Sequence, residues 1–308
     1  MAVVTDTTAS RRLLQTAEGA HSAAFTPADW GLVATAVLIW GSSFLLIAEG
    51  LESLSPGMVT WLRIAFGWLA LGTLPAARRT RIAAEDRTRL LLVGVVWLAV
   101  PMTIFPVAEQ WVSSSVTGML NGALPLFSAG IAAILLQRLP GVRQRWGIAI
   151  GFMGIVAIAL PTIEGGSRTA LGVSLVIVAM MSYGVAGNLV VPLQQRYGSL
   201  AVIWRAQSVA LVLTAPYAVT GLGDSRFEWQ PVGAVVVLGA FGTGFAFVAA
   251  GDLMGRVGAT RGSIIAYLIP VVALVLGVLL RDEHVAALAI AGLGLVLAGA
   301  WLTSRAGR

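Results

Sequence analysis

Cysteine and lysine are missing from this 308-residue sequence, and charged residues of any kind are scarce. Without cysteine the chain has no disulfide framework, no thiolate metal site and no cysteine nucleophile. The sequence also lacks the HExxH and GxSxG patterns, which removes two hydrolase interpretations. We therefore expect neither an enzyme nor a bound cofactor or metal ion.

Apolar residues take the place of the missing charge. They make up 57% of the chain, only 11% of which is charged, and the mean hydropathy is +0.87. A water-soluble fold could not bury that much apolar surface. The apolar runs are about 18 to 22 residues long, enough to cross a hydrocarbon core about 30 Å thick. They predict an all-α integral membrane protein with ten transmembrane helices, at roughly 30–48, 57–76, 89–108, 113–136, 146–161, 171–192, 201–220, 231–250, 260–280 and 285–303.

The 20 basic residues are all arginine, and their positions predict the topology. Cytoplasmic loops of membrane proteins carry an excess of basic residues. With both termini in the cytoplasm, the outer loops hold only Arg168, Arg226 and Arg281, and two arginines lie within spans. The cytoplasmic segments then hold the other 15, namely Arg11, Arg12, Arg78, Arg79, Arg81, Arg87, Arg89, Arg138, Arg143, Arg145, Arg196, Arg256, Arg261, Arg305 and Arg308. Because they are divided among short loops, they do not indicate a nucleic-acid partner.

The first 29 residues are predicted to form a polar, loosely ordered cytoplasmic tail. The stretch "SRRLLQ" at 10–15 is similar to a twin-arginine signal. However, the first apolar run begins about fifteen residues later and nine more follow, which favours the tail.

The two halves of the chain resemble each other. "LIWGSSFLLI" at 38–47 is echoed by "MSYGVAGNLV" at 181–190, which sets Trp40-Gly41 against Tyr183-Gly184. The following spans both open on Trp and Arg and close on Pro, in "WLRIAFGWLALGTLP" and "WRAQSVALVLTAP". Because the offset hardly drifts along the chain, residues 30–161 and 171–303 are predicted to be two copies of one five-helix unit.

Five crossings per unit have a geometric consequence. An odd number means that the second copy enters the membrane from the opposite side, so the two copies form an inverted repeat. Such a repeat supplies two conformations of similar energy when the halves exchange roles. Alternating access requires such a pair of conformations, and this favours transport, although a purely structural membrane protein can also carry a duplication.

Several motifs resemble the EamA-type transporters of the drug/metabolite transporter superfamily. They are "WGSSF" in the first span, "WLRIAFGWLAL" in the second, and the proline-containing "LPLFSAGIAAILL" and "LIPVVALVLGVLLRDE" in the fourth and ninth. The similarity covers about 30–303. It implies a carrier of the cytoplasmic membrane, commonly an exporter of amino acids or other small metabolites.

The sequence departs from the family pattern at the end of the fourth span. The resemblance implies Gly-Glu at the ends of both proline-containing spans, yet the first copy has Gln137 and Arg138, whereas the second keeps Glu283. A role shared by two symmetric glutamates is therefore not expected.

Two arginines within spans are the first candidates for substrate binding. Arg63 lies about six residues into the second span from its outer end, roughly 9 Å deep. Its side chain either snorkels to the outer headgroups or faces a cavity. The cavity is favoured, because the positive-inside bias gives no reason for an arginine near the outer surface. Arg205 enters the seventh span from the cytoplasmic side. The pair would place one cation near each mouth of a cavity, where it could hold a carboxylate or phosphate.

The remaining candidates are polar or aromatic groups deep in the spans. Aromatic rings at this depth either pack in the core or face substrate, and buried amides either join helices or bind a zwitterion. The predicted substrate-binding set is Trp40, Arg63, Asn121, Tyr183, Asn188, Arg205 and Tyr267. If transport is coupled to protons, Glu109 at the outer end of the third span is the candidate group.

Two other classes of protein compete with this interpretation. "GLGD" at 221–224 matches the aspartyl intramembrane protease motif, but that chemistry needs a second aspartate at membrane depth, which the sequence does not offer. A lipid or lipid-precursor translocase would share the architecture and stays open. We predict an inner-membrane exporter of small molecules, most simply amino acids, whose partners are its substrate and the lipid bilayer; the sequence does not indicate an oligomeric state.

Overall fold

The computed structural model describes residues 25–136, 141–257 and 265–304, and within these ranges the chain is helical and contains no strand. The predicted tail and the departure at Gln137 and Arg138 lie outside the described residues, apart from 25–29 of the tail. We number the main helices in chain order and leave a short helix at Pro75–Arg79 unnumbered. They are α1 (Pro27–Gly50), α2 (Pro56–Gly72), α3 (Ala84–Ala108), α4 (Ser114–Asn121), α5 (Leu124–Leu136), α6 (Val142–Ile163), α7 (Ser167–Tyr197), α8 (Ser199–Thr220), α9 (Trp229–Val257), α10 (Ile265–Arg281) and α11 (Ala287–Ser304).

The predicted membrane-protein class is confirmed by the lengths and composition of these helices. In the described ranges six of them are long and apolar enough to cross a membrane: α1, α3, α6, α7, α8 and α9. Helices α10 and α11 are apolar but shorter. The chain is therefore a multi-pass membrane protein.

The predicted fourth span differs from the structure. It is not one helix over 113–136, because α4 ends at Asn121 and α5 begins at Leu124. Gly122 and Pro125 flank the break; glycine is a poor helix former, and proline removes a helical hydrogen bond. Gly122 also packs tightly, since a Cβ there would lie 2.8 Å from the Pro270 ring of α10.

Local sequence signals set where the helices begin. Thr26 caps α1 through a capping box with Asp29, and Pro27 occupies the first helical turn. Ser55 caps α2 in the same way, directly before Pro56. Asp29 also lies 3.7 Å from Arg256, so the start of α1 is joined to the end of α9.

Glycines bring α6 and α11 into backbone contact, as the spacing of Gly147 and Gly151 predicts. A Cβ on Gly147 would lie 2.7 Å from the carbonyl oxygen of Gly299, and one on Gly154 would lie 2.6 Å from that of Gly292. Only helices without side chains at these positions can approach so closely.

Two apolar clusters form the core, and each draws residues from both halves of the chain. Trp40 and Tyr183, which occupy matching positions in the predicted repeat, pack against both clusters. These two aromatic side chains therefore lie where the clusters meet, near the centre of the helix bundle.

Candidate functional site

A π-helical segment interrupts each of two long helices. It covers Gly94–Ala99 in α3 and Leu238–Phe245 in α9. The second segment contains "GAFGTGF", whose three glycines weaken the α-helix. Short π-helical segments alter the regular hydrogen bonding and are frequent at functional sites.

Arg63 lies against the π-helical segment of α9. Its side chain is 3% exposed, and its Nε donates a hydrogen bond of 3.1 Å to Oγ1 of Thr243. The two helices approach this closely because glycines face each other, and a Cβ on Gly239 would lie 2.6 Å from the Arg63 carbonyl oxygen. Nη1 of Arg63 is buried and has no hydrogen-bond partner in the described ranges. Arg63 thus projects into the protein, with part of its hydrogen-bonding capacity unused.

Two further polar side chains bind carbonyl groups of the same segment. Nε1 of Trp40 donates to the Gly242 carbonyl oxygen at 2.9 Å, and Nε2 of Gln207 donates to that of Thr243 at 2.5 Å. The Trp40 ring also packs edge-on against Phe247, with centroids 5.0 Å apart. Residues from α1, α2 and α8 therefore converge on this stretch of α9.

Tyr183 belongs to this group through its ring and its charge environment. Its ring lies 6.0 Å from that of Phe105, and the Arg63 guanidinium is close enough to interact with it electrostatically. The sequence thus predicted three members of the group: Trp40, Arg63 and Tyr183. It did not predict Thr243, although the glycines on either side of that residue were a visible signal.

A cavity of about 640 Å³ opens at one end of the bundle. Its wall is formed where α1, α3 and α10 end and where α2 begins, and it includes Glu109 and Arg281. Arg281 bridges to Glu49 at 2.5 Å and to Glu52 at 3.1 Å. Both carboxylate oxygens of Glu109 are buried and lack hydrogen-bond partners among the residues described. Asp224 of the "GLGD" stretch is an exposed residue on the cavity wall.

Polar contacts hold the helices together at the opposite end. Asp86, at the start of α3, accepts a 2.9 Å hydrogen bond from Arg196 and a 2.7 Å bond from the Tyr197 hydroxyl, both near the end of α7. Nε of Arg89 donates to the Leu189 carbonyl oxygen at 2.8 Å. These contacts join the two halves of the chain at the end away from the cavity.

Two of the other predicted binding residues, Arg205 and Tyr267, bind carbonyl groups outside the π-helical segment of α9. Arg205 donates to the carbonyl oxygens of Ala77 and Arg78, at 2.7 and 3.2 Å, and also to that of Thr80. Tyr267 donates to the Ala300 carbonyl oxygen at 2.7 Å. Asn121 is buried where α4 ends, and its Oδ1 has no partner within the described ranges. The backbone of Asn188 lies in α7, but its side chain is outside the described residues.

Glu283 accepts hydrogen bonds at the first turn of α4. The amide and hydroxyl of Ser114 donate to its Oε1 at 3.0 and 2.7 Å, and the amide of Ser115 donates to Oε2 at 2.8 Å. A carboxylate in this place also interacts favourably with the helix dipole. Burial opposes ionisation, but the hydrogen bonds from Ser115 and Ser114 outweigh it and hold the pKa of Glu283 below its usual value.

We expect Glu283→Gln to lower the free energy of unfolding by about 1–2 kcal/mol, because the variant loses charge-assisted hydrogen bonds at a partly exposed site. Since the folded pKa is depressed, the stabilisation is present above the unfolded pKa of about 4.3 and is lost as the pH falls through the folded value. Thermal melts of the purified chain from pH 7 down to 3 should therefore show a weaker pH dependence below about pH 4.3 in the variant. Asp282→Asn changes the exposed neighbouring acid and should melt like the parent. Equal pH profiles for parent and Glu283→Gln would contradict this assignment.

Comparison with known proteins identifies relatives of the whole chain. One family model, described as the EamA-like transporter family, matches residues 30–160 and again residues 170–305. A probable terminal-alkyne amino-acid exporter of Streptantibioticus cattleyicolor is 29% identical over 292 residues, which is 90% of this chain and 93% of that protein. A probable amino-acid metabolite efflux pump of Escherichia coli is 24% identical over 293 residues, covering 89% and 94% of the two chains. One crystal structure has the same fold, with a TM-score of 0.61 at 16% identity over 90% of this chain and 96% of the other.

Proposed function

Because the chain belongs to the EamA-like transporter family, we propose that it exports small metabolites, most simply amino acids, by alternating access. The observation that carries this proposal is Arg63, a buried cation in an apolar bundle whose Nη1 has no hydrogen-bond partner among the described residues. An ionisable residue within a membrane-spanning bundle is costly and commonly marks a substrate pathway. The two similar proteins named as amino-acid exporter and amino-acid metabolite efflux pump support the substrate class.

The architecture that we propose is ten membrane crossings in two inverted five-helix repeats, residues 30–161 and 171–303. Two observations support it. The family model matches the chain twice, over nearly these ranges. The π-helical segments that begin at Gly94 and Leu238 are 144 residues apart, close to the offset of the sequence repeat. From the arginine distribution, both termini would face the cytoplasm of a bacterial inner membrane.

Alternating access requires that one end of the site be open while the other is closed. In this proposal the cavity beside Glu109 is the open, outer end, and the contacts of Asp86 with Arg196 and Tyr197 close the cytoplasmic end. Arg205, bound to the carbonyl groups of residues 77, 78 and 80, would strengthen the same closure. Opening toward the cytoplasm would break these contacts.

Substrate would bind beside the π-helical segment of α9, at Trp40, Arg63 and Tyr183. Arg63 would hold a substrate carboxylate by charge-assisted hydrogen bonds, and the aromatic rings would shield it from water. Asn121, Asn188, Arg205 and Tyr267 stay in the predicted set as residues that could join the site when the helices move. If transport is coupled to protons, we propose Glu109, on the cavity wall, as the group that carries the proton.

The experiment that tests this function uses the full chain reconstituted in liposomes. The liposomes are loaded with the twenty common amino acids, and efflux of each is recorded with and without an imposed pH gradient. We expect selective efflux of a subset, and acceleration by the gradient would support proton coupling. A second set of liposomes carries a fluorescent lipid in one leaflet. Movement of that lipid without efflux of any amino acid would overturn the proposal in favour of a lipid translocase.

A further inference from the structure

Two buried groups of opposite charge lack the partners that buried charges need. Nη1 of Arg63 is one, and the two carboxylate oxygens of Glu109 are the other; none of them has a hydrogen-bond partner in the described part of the chain. Leaving a buried polar group unpaired costs about 1–3 kcal/mol, and more when it is charged. Most buried polar atoms in proteins are paired for this reason.

The two groups are near each other but do not form a salt bridge. Each is among the charges that act on the other, yet no N–O distance of 4.0 Å or less joins them. A buried pair held apart forgoes the direct contact that would offset the loss of water. A ligand that reached both groups would supply the partners that each lacks.

The cavity lies at the start of the helix that carries Arg63. Glu109 lies on its wall, and so does Pro56 at the start of α2. Arg63 is seven residues further along the same helix, about 10 Å deeper at a rise of about 1.5 Å per residue. The cavity volume, about 640 Å³, is within the range of about 300–1,000 Å³ that is usual for small-molecule sites.

We propose that Arg63 and Glu109 together bind the two ends of an α-amino acid, with Arg63 holding the carboxylate and Glu109 the ammonium group. This inference rests on the proposed export function and specifies which substrates it serves. A simple carboxylic acid would pair with Arg63 and leave Glu109 without a partner. A simple amine would pair with Glu109 and leave Arg63 without one. A zwitterion satisfies both groups and adds no net charge to the interior.

The test compares an amino acid with analogues that lack one of its two charged groups. The full chain in liposomes exports the best-transported amino acid of the panel above, in radiolabelled form. Three unlabelled competitors are added at equal concentration on both sides: the same amino acid, the carboxylic acid without its amino group, and the amine without its carboxylate. For the parent we expect half-inhibition by the amino acid at a concentration at least tenfold below that of either analogue.

Glu109→Gln should remove this preference selectively. The variant has nearly the same shape, so half-inhibition by the amino acid should need at least tenfold more compound, whereas inhibition by the carboxylic acid should not change. If efflux through the variant is below detection, the rise in melting temperature that each compound causes replaces inhibition as the measure. Glu228→Gln, an exposed acid on the same side of the bundle and outside the cavity wall, should behave like the parent.

The outcomes separate this inference from the function on which it rests. If the parent exports none of the amino acids, the proposed function fails. If amino acids are exported but Glu109→Gln weakens all three competitors equally, or none of them, the function stands and the zwitterion site is overturned. A variant that keeps the full amino-acid preference overturns the site even if it loses its response to the pH gradient, because Glu109 would then serve proton coupling alone.

Discussion

Replacement of Arg63 by methionine is expected to abolish substrate efflux. The guanidinium is the buried cation beside the π-helical segment, and a charge-assisted hydrogen bond contributes about 1.5–3 kcal/mol. Loss of two such bonds to a substrate carboxylate would lower the transport rate at low substrate concentration by about 100-fold or more. The measurement is the initial efflux rate from liposomes at matched protein density. Arg63→Lys, which keeps the charge without the planar fork, should recover part of the rate.

The control for this prediction is Arg168→Met, which removes an exposed arginine at the start of α7. It changes the net charge by the same amount and should leave efflux unchanged. In this proposal Arg63 binds the carboxylate of both the amino acid and the carboxylic acid analogue. Inhibition by the analogue therefore gives a second control. Efflux from Arg63→Met at the parent rate would contradict a carboxylate role for this residue.

The sequence indicated which residues lie near the π-helical segment of α9 better than it indicated their contacts. Trp40, Arg63 and Tyr183 were recognisable because indole, guanidinium and phenol groups are rarely placed inside apolar runs without a reason. Thr243 was not, since a threonine in a membrane helix commonly bonds to its own backbone. Only the fold shows that its hydroxyl accepts from Arg63, and that Trp40 and Gln207 bind carbonyl groups beside it.

Hydropathy predicted where the helices lie but not where they change form. The fourth span was expected to be continuous because most of its residues are apolar, yet the chain breaks between Asn121 and Leu124. The π-helical segments leave no trace in hydropathy either, because a change in backbone hydrogen bonding does not alter the average hydropathy of the residues. The sequence could not predict the contacts of Arg205 for a different reason. Its partners are backbone carbonyl groups near residue 77, whose approach depends on tertiary packing.

Glycine packing between α6 and α11 gives the largest expected effect on stability. A Cβ on Gly299 would lie 2.5 Å from the Gly147 carbonyl oxygen and 2.6 Å from the Gly151 Cα. These are backbone atoms, so no rotamer change can relieve the clash. Larger residues in well-packed sites cost about 1–3 kcal/mol when side chains can adjust.

Gly299→Val should therefore exceed that range, because α6 and α11 must separate to admit the side chain. A loss of about 3 kcal/mol corresponds to a melting temperature about 6–12 °C lower. Gly294→Val is the matched control, since it adds the same side chain to the same helix at an exposed glycine with no atom within 4 Å. Thermal melts of both purified variants make the comparison. The two substitutions change helix propensity equally, so a difference in melting temperature between the variants measures the contact between α6 and α11. Equal melting temperatures would mean that this contact does not hold the fold together.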